Sequence, residues 1–362
     1  MTITRLPDFP WDTLADVAAK ARAHPDGLVD LSVGTPIDPV PTVIQEALTG
    51  AAWIPGYPTT HGTPELREAA AGALERRHGV HVDPVDVLPT IGSKELVAWL
   101  PTMLGAGAGD LVVIPSLSYP TYEAGARLAG AEVLRADSTV AVGPAKPKLV
   151  WLNSPSNPTG QVLPPEHLRK VVDWARERGV VVVSDECYLT LGWETAPVSV
   201  LHDSVSGGSH EGLLAVHSLS KSSCLAGYRA GYVTGDPALV ARLLAVRKHA
   251  GMIVPHPVQA AITAALDDDE HVAVQKTRYA ARRAVLRPAL AAAGFTIDHS
   301  EAGLYLWSTR GEDAWATADW LADRGILTAP GTFYGPTGDR HVRVALTATD
   351  ERVAAAAERL LA

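Results

Sequence analysis

The chain has 362 residues, 47% hydrophobic and 20% charged, with a formal net charge of −9, which fits a soluble globular protein and gives no basic face for nucleic acid. That length can bury one large core and a smaller second one. Two cysteines, Cys187 and Cys224, argue against a disulfide scaffold and for a reducing, cytoplasmic compartment; Met1–Arg5 lacks a signal-peptide core, and no apolar run approaches the roughly 20 residues of a membrane span.

Residues 11–24 carry apolar side chains at helical spacing and stop at Pro25. A short strand is expected over Leu28–Val33, ended by Gly34-Thr35-Pro36, then a short helix over 41–51. Thr63 is a good N-cap with Pro64 at the first helical position, for a helix running to Gly79. Strands then alternate with helices. The strands fall at Val85–Pro89, Leu111–Ile114, Ala131–Ala136, Leu149–Leu152, Val180–Ser184 and Leu213–Val216, and the helices at Ser93–Leu104, Tyr119–Ala129 and Pro164–Arg178. Such alternation predicts an α/β layer with a mostly parallel sheet, and Arg229–Thr234 adds a strand whose direction, parallel or antiparallel, stays open. Ser138–Pro147 and Ser204–Gly212, rich in Gly, Ser and Pro, read as the least ordered stretches.

Helices follow at 237–250 and 256–267, and an alanine-rich one over 270–292 leads out of the layer. Short strands at Phe295–Ile297, Leu304–Trp307 and His341–Ala345, with helices at 313–323 and 350–361, predict a separate α+β unit. The expected division is a large domain over 41–268 and a small one over 269–362.

The chemistry-bearing residues gather at strand ends. Asn157-Pro158-Thr159-Gly160 follows one apolar strand; Asp185 ends another, with Tyr188 three residues on. Ser218-Leu219-Ser220-Lys221 follows a third, ahead of Gly227, Arg229 and Gly231. A lone lysine is usually a solvated charge and a lone aspartate an N-cap, so the set carries the information. In order, and in the separations of 28 residues from Asn157 to Asp185 and 36 from Asp185 to Lys221, it resembles the site of the class I/II aminotransferases, fold-type-I pyridoxal-phosphate enzymes.

The resemblance implies a role for each residue. Lys221 would bond to the cofactor and move the substrate's α-proton. Asp185 would keep the ring nitrogen protonated by charge pairing. Asn157 and Tyr188 would donate to the ring's phenolate oxygen, and Tyr119 would stack on the ring, with core packing as its alternative. Gly92-Ser93-Lys94, at a strand-to-helix junction, is a natural anion site that Ser218, Ser220 and Arg229 would complete around the phosphate. Lys94 by itself reads as a solvated first-turn side chain, and Cys187 as a small packing residue. Arg343 and Gly34 would take the substrate's α-carboxylate, glycine allowing close backbone approach. Tyr57 would reach the phosphate of a neighbouring subunit, making a homodimer with shared active sites. The first 40 residues would pack with the small domain.

Stretches GSKELVAWLP, SPSNPTGQVL and SLSKSSCLAGYRAG resemble the actinobacterial succinyldiaminopimelate aminotransferases. That implies amino transfer between N-succinyl-LL-2,6-diaminopimelate and 2-oxoglutarate, in lysine and diaminopimelate biosynthesis, with glutamate as donor. The substrate's two distal carboxylates call for a cationic pocket mouth, for which Arg247, Lys248 and His249 are candidates. The alternatives are an aspartate-, aromatic- or LL-diaminopimelate-type aminotransferase, or a pyridoxal-phosphate carbon–sulfur lyase. A ligand-sensing regulator on this fold would need a helix-turn-helix extension, for which no room precedes Gly34. The glycines of Gly105–Gly109 follow a helix and precede a strand, the reverse of a dinucleotide site, and read as a turn. His78 and His81 read as a solvated helix end, without a metal.

Overall fold

The computed structural model describes residues 6–362, so the Met1–Arg5 reading lies outside the described residues. A 3₁₀ turn at Pro10–Leu14 leads into α1 (Ala15–Arg22), β1 (Val29–Asp30) and α2 (Thr42–Gly50). Helix α3 (Pro64–His78) begins as its sequence dictates. The Thr63 hydroxyl accepts the Leu66 N–H, Pro64 sits at N1, and Gly79 closes the helix at φ 64°.

The alternating stretch gives β2 (Val87–Ile91), α4 (Gly92–Met103), β3 (Leu111–Ile114), α5 (Thr121–Leu128), β4 (Glu132–Arg135) and a short α6 (Thr139–Val142). It continues with β5 (Leu149–Asn153), α7 (Pro165–Arg178), β6 (Val181–Asp185), a short α8 (Asp203–Ser206), β7 (Leu213–Ser218) and β8 (Ala230–Gly235). The seven strands form one sheet in the order β2-β8-β7-β6-β5-β3-β4. Only β8 runs against its neighbours.

Three more helices, α9 (Pro237–Ala250), α10 (His256–Asp267) and α11 (Glu270–Ala292), follow. Both faces of the sheet are covered, which is why β5 and β7 are near-continuous apolar runs. Val150 and Leu152 pack towards α3, α7 and α10; Leu149 and Trp151 pack towards α4, α5 and α9.

A second sheet is antiparallel, ordered β12-β13-β10-β9, from β9 (Thr296–Asp298), β10 (Tyr305–Thr309), β12 (Ala329–Pro330) and β13 (Val342–Ala345). Helices α12 (Ala314–Asp323) and α13 (Asp350–Leu361) accompany it. The short β11 (Ile326–Leu327) pairs in parallel with β1, stitching the N-terminal segment to this C-terminal unit.

Four local expectations are corrected. The strand expected over Leu28–Val33 is only Val29–Asp30, because the carbonyls of Ser32 and Gly34 turn to Arg343 and Lys221 instead of a ladder. The strand expected at Val85–Pro89 starts at Val87, because the Asp83 carboxylate accepts the Val85 N–H and winds a 3₁₀ turn first. Ser138–Pro147 and Ser204–Gly212 each contain helix: Ser138 and His202 act as side-chain N-caps, and Gly143 and Gly207 end the turns at positive φ. Arg247 is no pocket-mouth cation. It is fully buried, its Nη1 donating to both Glu95 carboxylate oxygens at 3.0 and 3.1 Å, and it ties α9 to α4. Lys248 and His249 are exposed.

Removing one partner of a buried pair leaves the other charge uncompensated. Arg247→Leu is therefore expected to lower stability by about 3 kcal/mol, read from the urea midpoint. Adding Glu95→Leu should recover most of the loss.

Candidate active site

The parallel strands bring their last residues to one edge of the sheet. Asn153 ends β5, Asp185 ends β6 opposite it, and Ser218 ends β7 opposite Gly231 of β8. Helix α4 starts directly after β2. Ligands of open α/β sheets bind at this edge, and a cavity of about 620 Å³ opens here. From the large sheet and its loops, Asp185, Tyr188, Ser218, Ser220, Lys221 and Arg229 line it, with Ser93, Lys94, Tyr119 and Asn157. Gly34 and Arg343 complete the wall. Gly92 lies against Arg229, where any Cβ would overlap the guanidinium. Of the expected site residues only Tyr57 stands apart, 98% exposed.

The Asp185 carboxylate is buried. Its Oδ1 accepts the Cys187 backbone N–H at 3.2 Å and its Oδ2 accepts the Tyr122 hydroxyl at 2.7 Å. Tyr122 in turn stacks on Trp151 with ring centroids 4.7 Å apart. Burial pushes the Asp185 carboxyl up, against the hydrogen bonds from Cys187 and Tyr122. A cation beside it would relieve that cost.

The Lys221 amine donates to the Gly34 carbonyl. Desolvation pulls its pKa down, and the charges of Arg343 and Arg229 add to the effect. A lysine so placed gives up its proton more readily than one in water.

Arg343 directs Nη1 to Asn157 Oδ1 at 2.9 Å and Nη2 to the Ser32 carbonyl at 2.7 Å. Its guanidinium lies 3.9 Å from the Tyr305 ring centroid and 4.9 Å from that of Tyr334. Its Nε is buried with no partner among the described residues. Because Arg343 occupies the Asn157 oxygen, the Asn157 amide nitrogen is left to donate.

The hydroxyls of Tyr188 and Tyr305 are 3.0 Å apart. A side chain at position 34 would overlap the Tyr305 hydroxyl. Gly34 is thus required by a protein neighbour, a reason that sequence reasoning did not supply.

Among the described residues the wall carries four cations, Lys94, Lys221, Arg229 and Arg343, against one carboxylate, Asp185. Their hydrogen bonds go to neutral oxygens: Arg229 donates to Ala226, Lys221 to Gly34, and Arg343 to Ser32 and Asn157. Lys94 is exposed at the rim, its ammonium 5.0 Å from the Phe9 ring centroid. Net positive charge at the start of α4 is a site for an anion.

The profile of the aminotransferase class I and II family matches residues 26–360. The chain belongs to the class I and II aminotransferases. It is 68% identical over 356 residues to a probable aminotransferase of Mycobacterium tuberculosis, covering 98% of this chain and 85% of that one. It is 61% identical over 355 residues to the 4-dedimethylamino-4-oxo-anhydrotetracycline transaminase OxyQ of Streptomyces rimosus, covering 98% and 99%. Among solved structures, a probable N-succinyldiaminopimelate aminotransferase from Thermus thermophilus superposes with a TM-score of 0.89 at 31% identity, covering 98% and 99%.

This aminotransferase depends on pyridoxal phosphate, as its family does. The donor set fits that group: a cationic helix start for a phosphate, a buried carboxylate for a protonated ring nitrogen, and a desolvated lysine. When bound, the cofactor supplies the electron sink that makes the substrate's Cα–H bond breakable. Lys221 would hold and move the proton, Asp185 would hold the ring nitrogen's charge, and Arg343 would orient the substrate's carboxylate.

The site also contains residues that sequence reasoning missed. Tyr122 and Tyr305 carry no local signal, since only the fold brings their hydroxyls to Asp185 and Gly34. Cys187, read as packing, lines the cavity and supplies a backbone donor. Phe9 and Trp11 reach the cavity from the N-terminal segment. His78, read as a solvated helix end, is partly buried, and burial brings its pKa down to about 4.

Glu186, beside Asp185, is buried. Its Oε1 accepts the Val200 N–H at 2.7 Å; its Oε2 lies 3.7 Å from His217 Nε2, and neither atom has a hydrogen-bond partner among the described residues. Burial lifts the Glu186 carboxyl from 4.5 to about 7 and lowers His217 to about 3. The folded state therefore keeps a proton that the unfolded chain releases near pH 4.5, and stability from this group falls as pH rises from there to about 7. Glu186→Gln should remove that fall. Urea unfolding at either end of the window should show the variant losing less stability than the parent, by on the order of 2 kcal/mol. Equal losses would contradict the burial argument.

Proposed function

We propose that this aminotransferase moves an amino group between N-succinyl-LL-2,6-diaminopimelate and 2-oxoglutarate, with glutamate as donor, on the roles given above to Lys221, Asp185 and Arg343. The excess of cations over carboxylates along the cavity wall carries the reading. A phosphate at the start of α4 and an α-carboxylate at Arg343 account for two of those cations. Lys94, on the rim, remains for a further carboxylate on a long substrate arm. The Thermus thermophilus structure, named for the same substrate, supports this.

A second reading is transamination of a polycyclic ketone. The 61% identity to the Streptomyces rimosus transaminase favours it, as do Phe9 and Trp11 at the cavity.

Amino transfer from a panel of donors, followed by mass spectrometry, separates the two. Glutamate and succinyldiaminopimelate should both be consumed, and only when a 2-oxo acid is present. Failure of both, with rapid transfer to a polycyclic ketone, would favour the second reading. Lys221→Ala should abolish the visible absorbance of lysine-bound cofactor and lower turnover by several powers of ten.

The enzyme is read as a cytoplasmic homodimer. Trp53 and Tyr57 follow α2 and are 78% and 98% exposed, an apolar surface suited to a second copy. Among the described residues no helix is long and apolar enough to cross a membrane. If Tyr57 serves the partner's site, inactive Lys221→Ala and impaired Tyr57→Ala chains should regain activity on subunit exchange. Mixed dimers without recovery would speak against shared sites.

A further inference from the structure

The loop from Leu219 to Arg229 carries Lys221 and two of the expected phosphate contacts, Ser220 and Arg229, yet it has no regular secondary structure. Two of its non-glycine residues, Cys224 and Arg229, hold positive φ values of 56° and 58°. Such a conformation costs about 1–2 kcal/mol per residue and persists only where neighbours impose it. Helix α11 holds this loop at two points. The Tyr279 hydroxyl donates to the Lys221 carbonyl at 3.0 Å. His271 Nε2 lies 2.8 Å from Ser223 Oγ, and His271 Nδ1 lies 2.9 Å from Asp268 Oδ2.

The proton positions follow from the partners. The Asp268 carboxylate only accepts, so His271 Nδ1 carries the hydrogen. Burial holds His271 below its usual pKa, so Nε2 is a bare acceptor for the Ser223 hydroxyl. Serine, histidine and aspartate in this chain resemble a nucleophile relay. Ser223, however, is 1% exposed, so the relay holds its serine instead of presenting it to a substrate.

The same helix face does a second job. Gln275 and Arg282 bind the Asp38 carboxylate at 2.8 Å and at 2.6–2.8 Å. Asp38 ends the segment that begins at Gly34, whose carbonyl accepts the Lys221 amine. Positions 271, 275, 279 and 282 recur at helical spacing, so one stripe of α11 grips both sides of the Lys221 amine.

We propose that His271, oriented by Asp268, is a positioning residue for Lys221, acting through Ser223 and together with Tyr279 to hold the lysine loop in register with the Gly34 segment. The proposal rests on Lys221 being the cofactor's lysine. Failure of that reading would show separately, as Lys221→Ala retaining the visible absorbance.

The test uses the holoenzyme. His271→Phe keeps the volume and removes both hydrogen bonds; Ser223→Ala deletes one oxygen and remains informative if the first variant does not fold. Each should lower kcat about tenfold with KM for glutamate within about twofold. Each should also shift the pH midpoint of the lysine-bound cofactor's absorbance by about half a unit or more, in the same direction. The double variant should be no worse than the single ones, because both break one link. His271→Gln, which can still reach Ser223, should restore most of the rate. An unchanged absorbance midpoint in folded, cofactor-loaded variants, or fully additive losses in the double variant, would overturn the proposal.

Discussion

The Asp185 carboxylate is a charge placed at the end of a buried strand, and much of the site exists to make that tolerable. A buried carboxylate without partners would take up a proton. Here the Cys187 N–H and the Tyr122 hydroxyl satisfy its two oxygens, and the stack on Trp151 fixes Tyr122. What they leave is a negative end at a cavity whose other charged side chains, among the described residues, are cations. The cavity thus has a polarity before any ligand enters: negative at the floor, positive at the start of α4 and at Arg343. A molecule with a cationic ring nitrogen and an anionic group at its far end matches that polarity.

The parallel ladder makes this arrangement precise. Asn153 and Asp185 sit level, with Val216 of β7 beside Asp185 and Ser218 two residues beyond it, because β5, β6 and β7 are paired residue by residue; a slip of one residue would turn each side chain to the opposite face. The opposite wall has a different origin. Arg343 comes from β13, in the second sheet, and is held by Ser32 and Asn157, one from each side of the cavity. Arg343 is therefore a substrate candidate and also a tie between the two units. The α11 stripe is a second tie, reaching the lysine loop and Asp38 from one helix face.

Much of this was legible in the chain. The strand-ending Asp185, the Asn157-Pro158-Thr159-Gly160 loop and the Ser218–Arg229 segment are local, and their spacing is set by how many residues a strand and its crossover need. The helix caps at Thr63 and Gly79 depend on neighbours within a few residues, so they too could be read directly. The errors cluster where a local signal had a non-local competitor. Arg247 was a candidate for the pocket mouth as one of three basic residues at a helix end, but Glu95, 152 positions away, captures it. Ser138, Gly143 and Gly207 lay in stretches that looked least ordered, and they are caps.

By itself, the sequence determined the order of the elements, the predominantly parallel sheet, and the identity of the lysine, aspartate, asparagine and arginines that face one cavity. The elements and the sheet follow from hydrophobic period and turn residues, which act over short stretches; the site residues follow from the resemblance of their motifs to the aminotransferase family. Only the tertiary structure decided which tyrosine holds Asp185, why position 34 must be glycine, and that α11 grips the lysine loop. These contacts join residues 48 to more than 200 positions apart. Their partners are chosen by how whole elements pack, and no local pattern of side chains records that choice.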